Sequence, residues 1–562
     1  MNPKDIPFAT GYIIALYYMA VLLQTLPKPT WKTLLGLTLG ITIAFGIRAG
    51  GLILVAYLGL FVGLAFLLQY GIQGIWKNSL TMLQYAGLGL IPIIGGLGLG
   101  TLSWPYGLTD PINHIPEALE GFTKFAVGIK MLFNGKMIFG NEAPPSYLPT
   151  WLLNTLPLYI LAGGALFFVL LKRIWQQHTP FYLFMALFGF IFPIIFVIAQ
   201  GSTLYDGWRH LLFSYPPLVA LVAITWNTLF SVFEQQRTLL IGSVAILAAL
   251  LLEPLTFIVR NPNYPYIYFN PIAGGISGAF GKYETDYWGV SVKQGLDWME
   301  KEGIIGPNMT DTVIIVSNFS DALDKYAKKR YQGKVKTGYV RFRERHNINW
   351  NYGLFASRFI PGSYLKEGNW PPSHNTIHAI KANKVPILAI MKSENDLAYR
   401  GVQAAKNQDW ATAITLLTQE VQQSPSNEVA FAELAKCYMQ LNQLPQAKEA
   451  AQKTLAIEPE NLQAINLLAL YHLRANEGAE AEQLLLNSLE FEPRNSVAYY
   501  YLGIIEEGRN NLSKALEYAK ESVKYNNKFR EGYQLAAQIY EKMGDSQNAA
   551  VYNQAAAQIS GG

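Results

Sequence analysis

Residues 411–459 read ATAITLLTQEVQQSPSNEVAFAELAKCYMQLNQLPQAKEAAQKTLAIEP, and the spacing inside this stretch decides how the second half of the chain folds. Ala413 and Pro425 recur 34 residues on as Ala447 and Pro459, and again as Ala481 and Pro493; the alanine continues to Ala515 and Ala549. A small residue at that period lets two helices pack closely, and a proline, which cannot continue a helix, ends every second one. Leu434, Tyr438, Leu468, Tyr471, Tyr501 and Leu502 are expected to fill the space between the helices. One such helix pair cannot bury its apolar face alone, so the pairs must stack.

This is the tetratricopeptide pattern, read as four full units and a partial fifth over 394–560, so residues 393–562 are expected to form an α-solenoid. Its aromatic residues read first as repeat core. The concave face of such a solenoid binds extended segments or helices of partner proteins, so the module argues for assembly more than for chemistry.

Toward the N-terminus the composition changes at one boundary. Residues 1–260 hold 13 Lys+Arg and 8 Asp+Glu, whereas 261–562 hold 31 of each, so charge density rises from about 8% to about 21%. The net charge of +5 therefore sits wholly in the apolar part, which excludes a single soluble globule. No Lys/Arg stripe accompanies the excess, so a nucleic-acid partner is excluded as well. One cysteine, Cys437, excludes an internal disulfide framework and a Cys-based zinc site.

Apolar runs of spanning length lie near 6–26, 49–70, 82–102, 151–171, 181–200, 209–230 and 238–258, with a shorter one near 33–46. Residues 1–260 thus read as a transmembrane helix bundle of about eight segments with an outer loop at 103–150. Segments 33–46 and 49–70 meet at Arg48-Ala49-Gly50-Gly51, either as separate helices or as one hairpin with Arg48 at its tip. Lys28, Lys32, Lys77, Lys172, Arg173 and Arg237 fall on one side of this count and Arg48 and Arg209 on the other, which places the first set in the cytoplasm. Lys124, Lys130 and Lys136 lie outside, in a long loop that weighs little in this rule. Both termini and everything after 258 then face outward.

Residues 261–392 read as a small mixed α/β domain, with strands at 312–316, 337–342 and 385–391 and helices at 290–302 and 319–331. Tyr287 and Trp288 suit a membrane interface. The fold class is therefore mainly α: a polytopic helix bundle, a small α/β domain outside the membrane and a terminal solenoid.

Ionisable residues at a membrane boundary are costly and mark functional candidates. Five clusters qualify: Lys4-Asp5; Arg48; Asp110, His114, Glu117 and Glu120; Asp206-Gly207-Trp208-Arg209-His210; and Lys282 to Trp288, with Glu284 and Asp286. A carboxylate with Arg and His at one face suits deprotonation of an acceptor hydroxyl while cations hold a lipid-linked phosphate leaving group. The plainer reading is interface snorkelling by Arg209 and helix capping by Asp206. There is no Walker loop, dinucleotide fingerprint, nucleophile elbow or metal-ligand helix, so no cofactor is implied, and any divalent-metal requirement is left open.

Asn2-Pro3-Lys4-Asp5-Ile6-Pro7-Phe8-Ala9, Arg48-Ala49-Gly50-Gly51-Leu52, Tyr147-Leu148-Pro149-Thr150-Trp151-Leu152-Leu153 and Asp206 to Phe213 with Pro216-Pro217 resemble the polytopic glycosyltransferases of the protein O-mannosyltransferase and aminoarabinose transferase group. The resemblance covers about residues 1–292. It implies a bacterial inner-membrane enzyme that takes a sugar from a polyprenyl phosphate at its extracytoplasmic face and passes it to a protein or envelope glycan. Asp5 looks like an acidic catalytic residue of that family, and Arg209 and His210, with Arg48, like the donor-phosphate binders. Lys4, Asp206, Glu284 and Asp286 read as supporting charges. The family's principal acid lies in an earlier loop that has no counterpart here. That leaves a truncated or split enzyme, helices supplied by a partner, or a membrane-anchored tetratricopeptide scaffold for envelope complexes that has lost catalysis. A transporter is a further class, without an inverted repeat beyond the 33–70 hairpin.

Overall fold

The computed structural model describes residues 4–559 except 111, 115, 118, 119, 121–127, 332 and 374; Asn2, Pro3 and Lys124 therefore lie outside the described residues. The chain divides into two compact units. One holds residues up to 130 together with 139–275; the other holds 131–138 together with 276–562.

The first unit is built of apolar helices: Asp5–Thr25, Trp31–Ile47, Ile53–Tyr70, Ser79–Leu102, Tyr147–Thr155, Leu158–Gln177, Pro180–Ala199, Tyr215–Val232 and Arg237–Arg260. Among the described residues seven helical segments are long and apolar enough to cross a membrane by length and composition, and Trp31–Ile47, at 17 residues, is shorter. The run expected at 151–171 is two helices. Pro157 lacks an N–H to continue the first helix and leaves the chain extended at Leu156, so Tyr147–Thr155 stops before it. Arg48 is likewise extended, between Ile47 and the 3-10 turn Ala49–Leu52, so 33–46 and 49–70 are separate helices.

Thr30 accepts the Thr33 N–H and starts the second helix, which returns along the first. Their backbones touch through small residues. A Cβ on Gly40 would lie 2.6 Å from the Ala15 nitrogen, and one on Gly11 the same distance from the Ala44 nitrogen. Gly40→Val is expected to push these helices apart and destabilise the unit by about 1–3 kcal/mol. A thermal melt of the purified full chain in detergent checks this; an unchanged melt would contradict the contact.

The second unit contains a five-stranded sheet of β3 (Val313–Ser317), β4 (Val335–Tyr339), β5 (Tyr352–Ala356), β6 (Thr376–Ala382) and β7 (Val385–Lys392), in the order β4-β3-β5-β7-β6. β3 runs parallel to β4 and β5, and β7 antiparallel to β5 and β6. Helices Val290–Lys301 and Ser320–Arg330 accompany it. Its core joins Val316, Phe342, Trp350, Phe355, Trp370 and Met391 to Leu132 of a distant hairpin.

That hairpin is β1 (Lys130–Phe133) and β2 (Lys136–Phe139), turning at Asn134 and Gly135 with φ of 52° and 84°. Two left-handed residues in succession match the twist of paired strands, and Asn-Gly supplies them at low cost. Met131, Leu132 and Phe133 are buried, the Gly135 N–H donates to the Lys282 carbonyl at 2.9 Å, and the Tyr283 hydroxyl donates to Asn134 Oδ1 at 2.7 Å. The loop read as 103–150 thus contributes part of the second unit's core.

From Leu397 to Gln558 the chain forms five helix pairs, beginning with Leu397–Lys406 and Trp410–Gln423 and ending with Arg530–Lys542 and Ser546–Gln558. The fifth pair is complete, not partial. Its second helix packs through Ala549, which is 2% exposed, as Ala413, Ala447, Ala481 and Ala515 do before it. Each pair turns on a left-handed residue, and these are again 34 apart: Gln408, Asn442, Asn476, Asn510 and Gly544. Asn427, Asn461 and Asn495 start three of the first helices by accepting the N–H of Ala430, Ala464 and Ala498 at 3.1–3.2 Å.

The array is fixed to the sheet domain by the turn Phe342–Asn347. Arg345, 1% exposed, donates to both oxygens of Glu428, 0% exposed, at 2.6 and 2.8 Å, and to Asn427 Oδ1 at 3.1 Å. Arg343 reaches Glu458 at 2.5 Å, and Asn369 donates to the Ile457 carbonyl at 2.9 Å. All three contacts fall at the junctions between repeats, on the cap residues Asn427 and Glu458 or the helix-end residues Glu428 and Ile457 beside them.

Candidate functional site

Asp5 opens the first helix and Arg48 follows the second, so the antiparallel pair brings residues 43 positions apart to one end of the bundle. Arg48 Nη2 donates to Asp5 Oδ1. Arg209, at the start of the 3-10 turn Arg209–Ser214, places Nη1 3.8 Å from Asp5 Oδ2 and Nη2 3.0 Å from Asp206 Oδ2. Asp5 and Asp206 are 2% and 4% exposed, and the two guanidiniums are partly open to the outside. Two acids and two cations from three separate stretches therefore form one set with no formal net charge.

Local geometry explains how the Asp206 segment reaches this place. Asp206 and Gly207 are both left-handed, with φ of 58° and 69°. The reversal lets the Gly207 N–H donate to the Tyr147 hydroxyl at 3.1 Å and Trp208 Nε1 donate to Thr155 Oγ1 at 2.9 Å. A Cβ on Gly207 would lie 3.4 Å from Trp151, in ordinary contact, so it is the left-handed φ that favours glycine here. The Arg209 guanidinium lies 5.0 Å from the Tyr205 ring and that of Arg48 5.9 Å from Phe8. Phe8 and Tyr12 meet Phe213 edge-on at 4.9 and 4.8 Å, which holds the first helix against this turn.

His210 is half-buried with its ring 4.6 Å from Tyr205. Lys4 is exposed. Glu284 and Asp286 belong to the second unit and have partners there. Glu284 pairs with Arg358 at 3.3 Å, while Asp286 receives the Val290 and Ser291 N–H groups at 3.1 Å and caps helix Val290–Lys301. Tyr287, whose carbonyl accepts from Arg358, and Trp288 are half-buried in the same unit. In the long loop His114 stacks on Tyr106 at 4.0 Å, and the Tyr106 hydroxyl donates to Glu117 at 2.6 Å, on an exposed surface. Among the described residues no three His, Cys, Asp or Glu side chains gather as a metal would need.

Sequence reasoning passed over Asn270. It is fully buried and donates to the carbonyls of Leu153 and Leu156 at 2.6 and 2.8 Å, satisfying the backbone where Pro157 breaks the helix. The dipeptide Asn270-Pro271 was a readable turn signal.

In the second unit a groove of about 310 Å³ is lined by Glu433, Lys436, Gln463, Asn466, Leu467 and Tyr501. These residues come from the first helices of the second, third and fourth pairs. Leu434, Leu468 and Leu502 fill the core as expected; Tyr438 and Tyr501 are half-buried and pack against it, and Tyr471 is half-buried. Gln463 Nε2 donates to Glu433 Oε1 at 3.0 Å and to the Ala432 carbonyl at 3.2 Å, which sets the spacing of adjacent repeats.

No curated protein matches the chain. Among solved structures it is similar to a crystal structure of MamA (22% identity, TM-score 0.25, covering 28% of this chain and 93% of that one). It is also similar to MamA from Desulfovibrio magneticus RS-1 (16%, 0.26, 29% and 92%) and to pilF of Pseudomonas aeruginosa (22%, 0.27, 29% and 74%). Residues 404–471 match the tetratricopeptide repeat family, so the periodic part of this chain is a tetratricopeptide array.

Proposed function

We propose that the protein is a tetratricopeptide scaffold held at a membrane by its apolar unit, which grips a segment of a partner protein and recruits it to an envelope assembly. The observation that carries this reading is the groove across three successive repeats, bounded by Lys436 and Glu433 at one end and by Leu467 and Tyr501 at the other. Paired charges at one end and an aromatic at the other suit a peptide that has both a polar and an apolar stretch. A photo-crosslinking residue placed at Leu467 in the full chain is expected to capture a discrete partner, one placed at the exposed Asn487 is not, and Tyr501→Ala is expected to weaken capture by tenfold or more. Equal capture at both positions would overturn the groove as the binding face.

A second reading is favoured by the convergence of Asp5, Arg48, Arg209 and Asp206 at one end of the bundle. In it, two guanidiniums hold the phosphate of a polyprenyl-linked sugar, His210 lines the site, and Asp5 positions or deprotonates the acceptor hydroxyl. The acceptor would be the protein held by the array or an envelope glycan. Sugar transfer from a labelled polyprenyl phosphate by the purified full chain tests it, and no transfer to any partner or glycan leaves the scaffold reading alone.

A further inference from the structure

The β1–β2 hairpin lies in the chain between the apolar helices Ser79–Leu102 and Leu158–Gln177, yet it completes a core whose other residues all lie after Ile276, where its unit resumes. The chain enters this unit at Met131, leaves it at Ile138 and enters again at Ile276. A polar-edged hairpin and sheet cannot lie in hydrocarbon, because their unpaired N–H and C=O groups would find no partners there. Where the apolar helices span a membrane, an even number of crossings must therefore separate residue 138 from residue 276. Four helical segments of the required length and hydropathy lie in that interval: Leu158–Gln177, Pro180–Ala199, Arg209–Val232 and Arg237–Arg260.

The other end of the loop can be followed in the same way. Ser103 Oγ lies 3.4 Å from the Gly46 carbonyl, and the Trp104 ring meets Phe45 edge-on at 6.0 Å, so the chain leaves helix Ser79–Leu102 at the end of the bundle where Arg48 sits. Among the described residues between Leu102 and Met131 there is no helix long and apolar enough to cross.

We infer that the hairpin is a strap: by joining the sheet domain's core it ties the loop after helix Ser79–Leu102 to the chain after Ile276, so both lie on one face of the membrane and the four apolar segments between them cross as an even set. The inference rests on the membrane reading of the apolar unit and does not depend on what the array binds.

Side-specific labelling of engineered cysteines in the full chain tests it. The native Cys437 cannot report, because it is fully buried and burial pushes its thiol up to about 11. It is replaced by alanine, and single cysteines are placed at the exposed positions Thr109, Lys136, Asn487 and Thr179. With an impermeant maleimide, Thr109→Cys, Lys136→Cys and Asn487→Cys are expected to label alike, either all in intact cells or all only after permeabilisation. Thr179→Cys is expected to show the opposite pattern. Opposite labelling of Lys136→Cys and Asn487→Cys would overturn the strap. Identical labelling of all four, Thr179→Cys included, would overturn the membrane reading beneath it. Either result leaves the crosslinking test of the groove undisturbed, so the two failures are distinguishable. Leu132→Asp gives a second readout: cleavage of residues 276–392 by added protease should rise about tenfold, and unchanged cleavage with correct labelling would show that the hairpin holds nothing.

Discussion

Glu428→Ala is expected to lower the melting temperature of the tetratricopeptide unit by on the order of 10 °C, because it leaves Arg345 charged, buried and without its carboxylate. Removing one member of a buried ion pair costs about 3–5 kcal/mol, and each kcal/mol moves the midpoint of a domain this large by about 2–4 °C. Arg345 sits against Phe342 at 4.4 Å with its backbone carbonyl accepting from Trp350 Nε1 at 2.8 Å, so it cannot swing out to water. The double variant Arg345→Met with Glu428→Leu is expected to recover most of the loss, within about 1–2 kcal/mol, since apolar side chains of similar size often replace a buried pair at little cost. The single variants Arg345→Met and Glu428→Leu together with this double variant close a cycle that isolates the pair from its surroundings. A Glu428→Ala melt indistinguishable from the parent would show that the sheet domain does not brace the repeats.

Asp5→Asn tells the sugar-transfer reading from the scaffold reading. It keeps the shape of the side chain and removes the acceptor charge between Arg48 and Arg209. Under the sugar-transfer reading, loss of a positioned acid or base lowers turnover by about 10²–10⁴-fold. Under the scaffold reading the same change only unbalances the cluster and costs about 1–3 kcal/mol of stability in the apolar unit. Arg48→Met separates the two accounts when combined with Asp5→Asn. The pair restores charge balance and should recover stability, while under the sugar-transfer reading transfer stays lost, because an acceptor base and a phosphate holder are both gone. Recovery of both would make Asp5 a structural partner of Arg48 and no more.

The repeats were legible because one small residue and one helix breaker recur at a fixed interval, and both act locally. The fifth unit was read as partial because the proline signal stops at Pro493, although Ala549 carried the period on; the left-handed Gly544 and helix Ser546–Gln558 complete it. The strands β5 and β6 were missed for another reason. Tyr352–Ala356 is short and includes a glycine, and Thr376–Ala382 mixes His378 and Lys381 among its apolar residues, so neither alternates cleanly; both owe their form to pairing with β7. The β1–β2 hairpin did announce itself, with Asn134-Gly135 between two matching tetrads, each a lysine followed by three apolar residues, but it stood in a stretch read as a loop. In the cluster, residue types and positions could be read one by one. That Arg209 would face both Asp5 and Asp206 could not, since it depends on the left-handed turn at Asp206-Gly207 and on Phe213 packing against the first helix.

The hairpin also sets a timetable for synthesis. Met131, Leu132 and Phe133 emerge from the ribosome long before β7, their sheet domain's last strand, which ends at Lys392. At about 5–20 residues per second, roughly 13–50 s pass between the two. For that interval three apolar side chains wait with no core to enter, which makes this short segment the natural client of a holding chaperone on the side where the domain will fold.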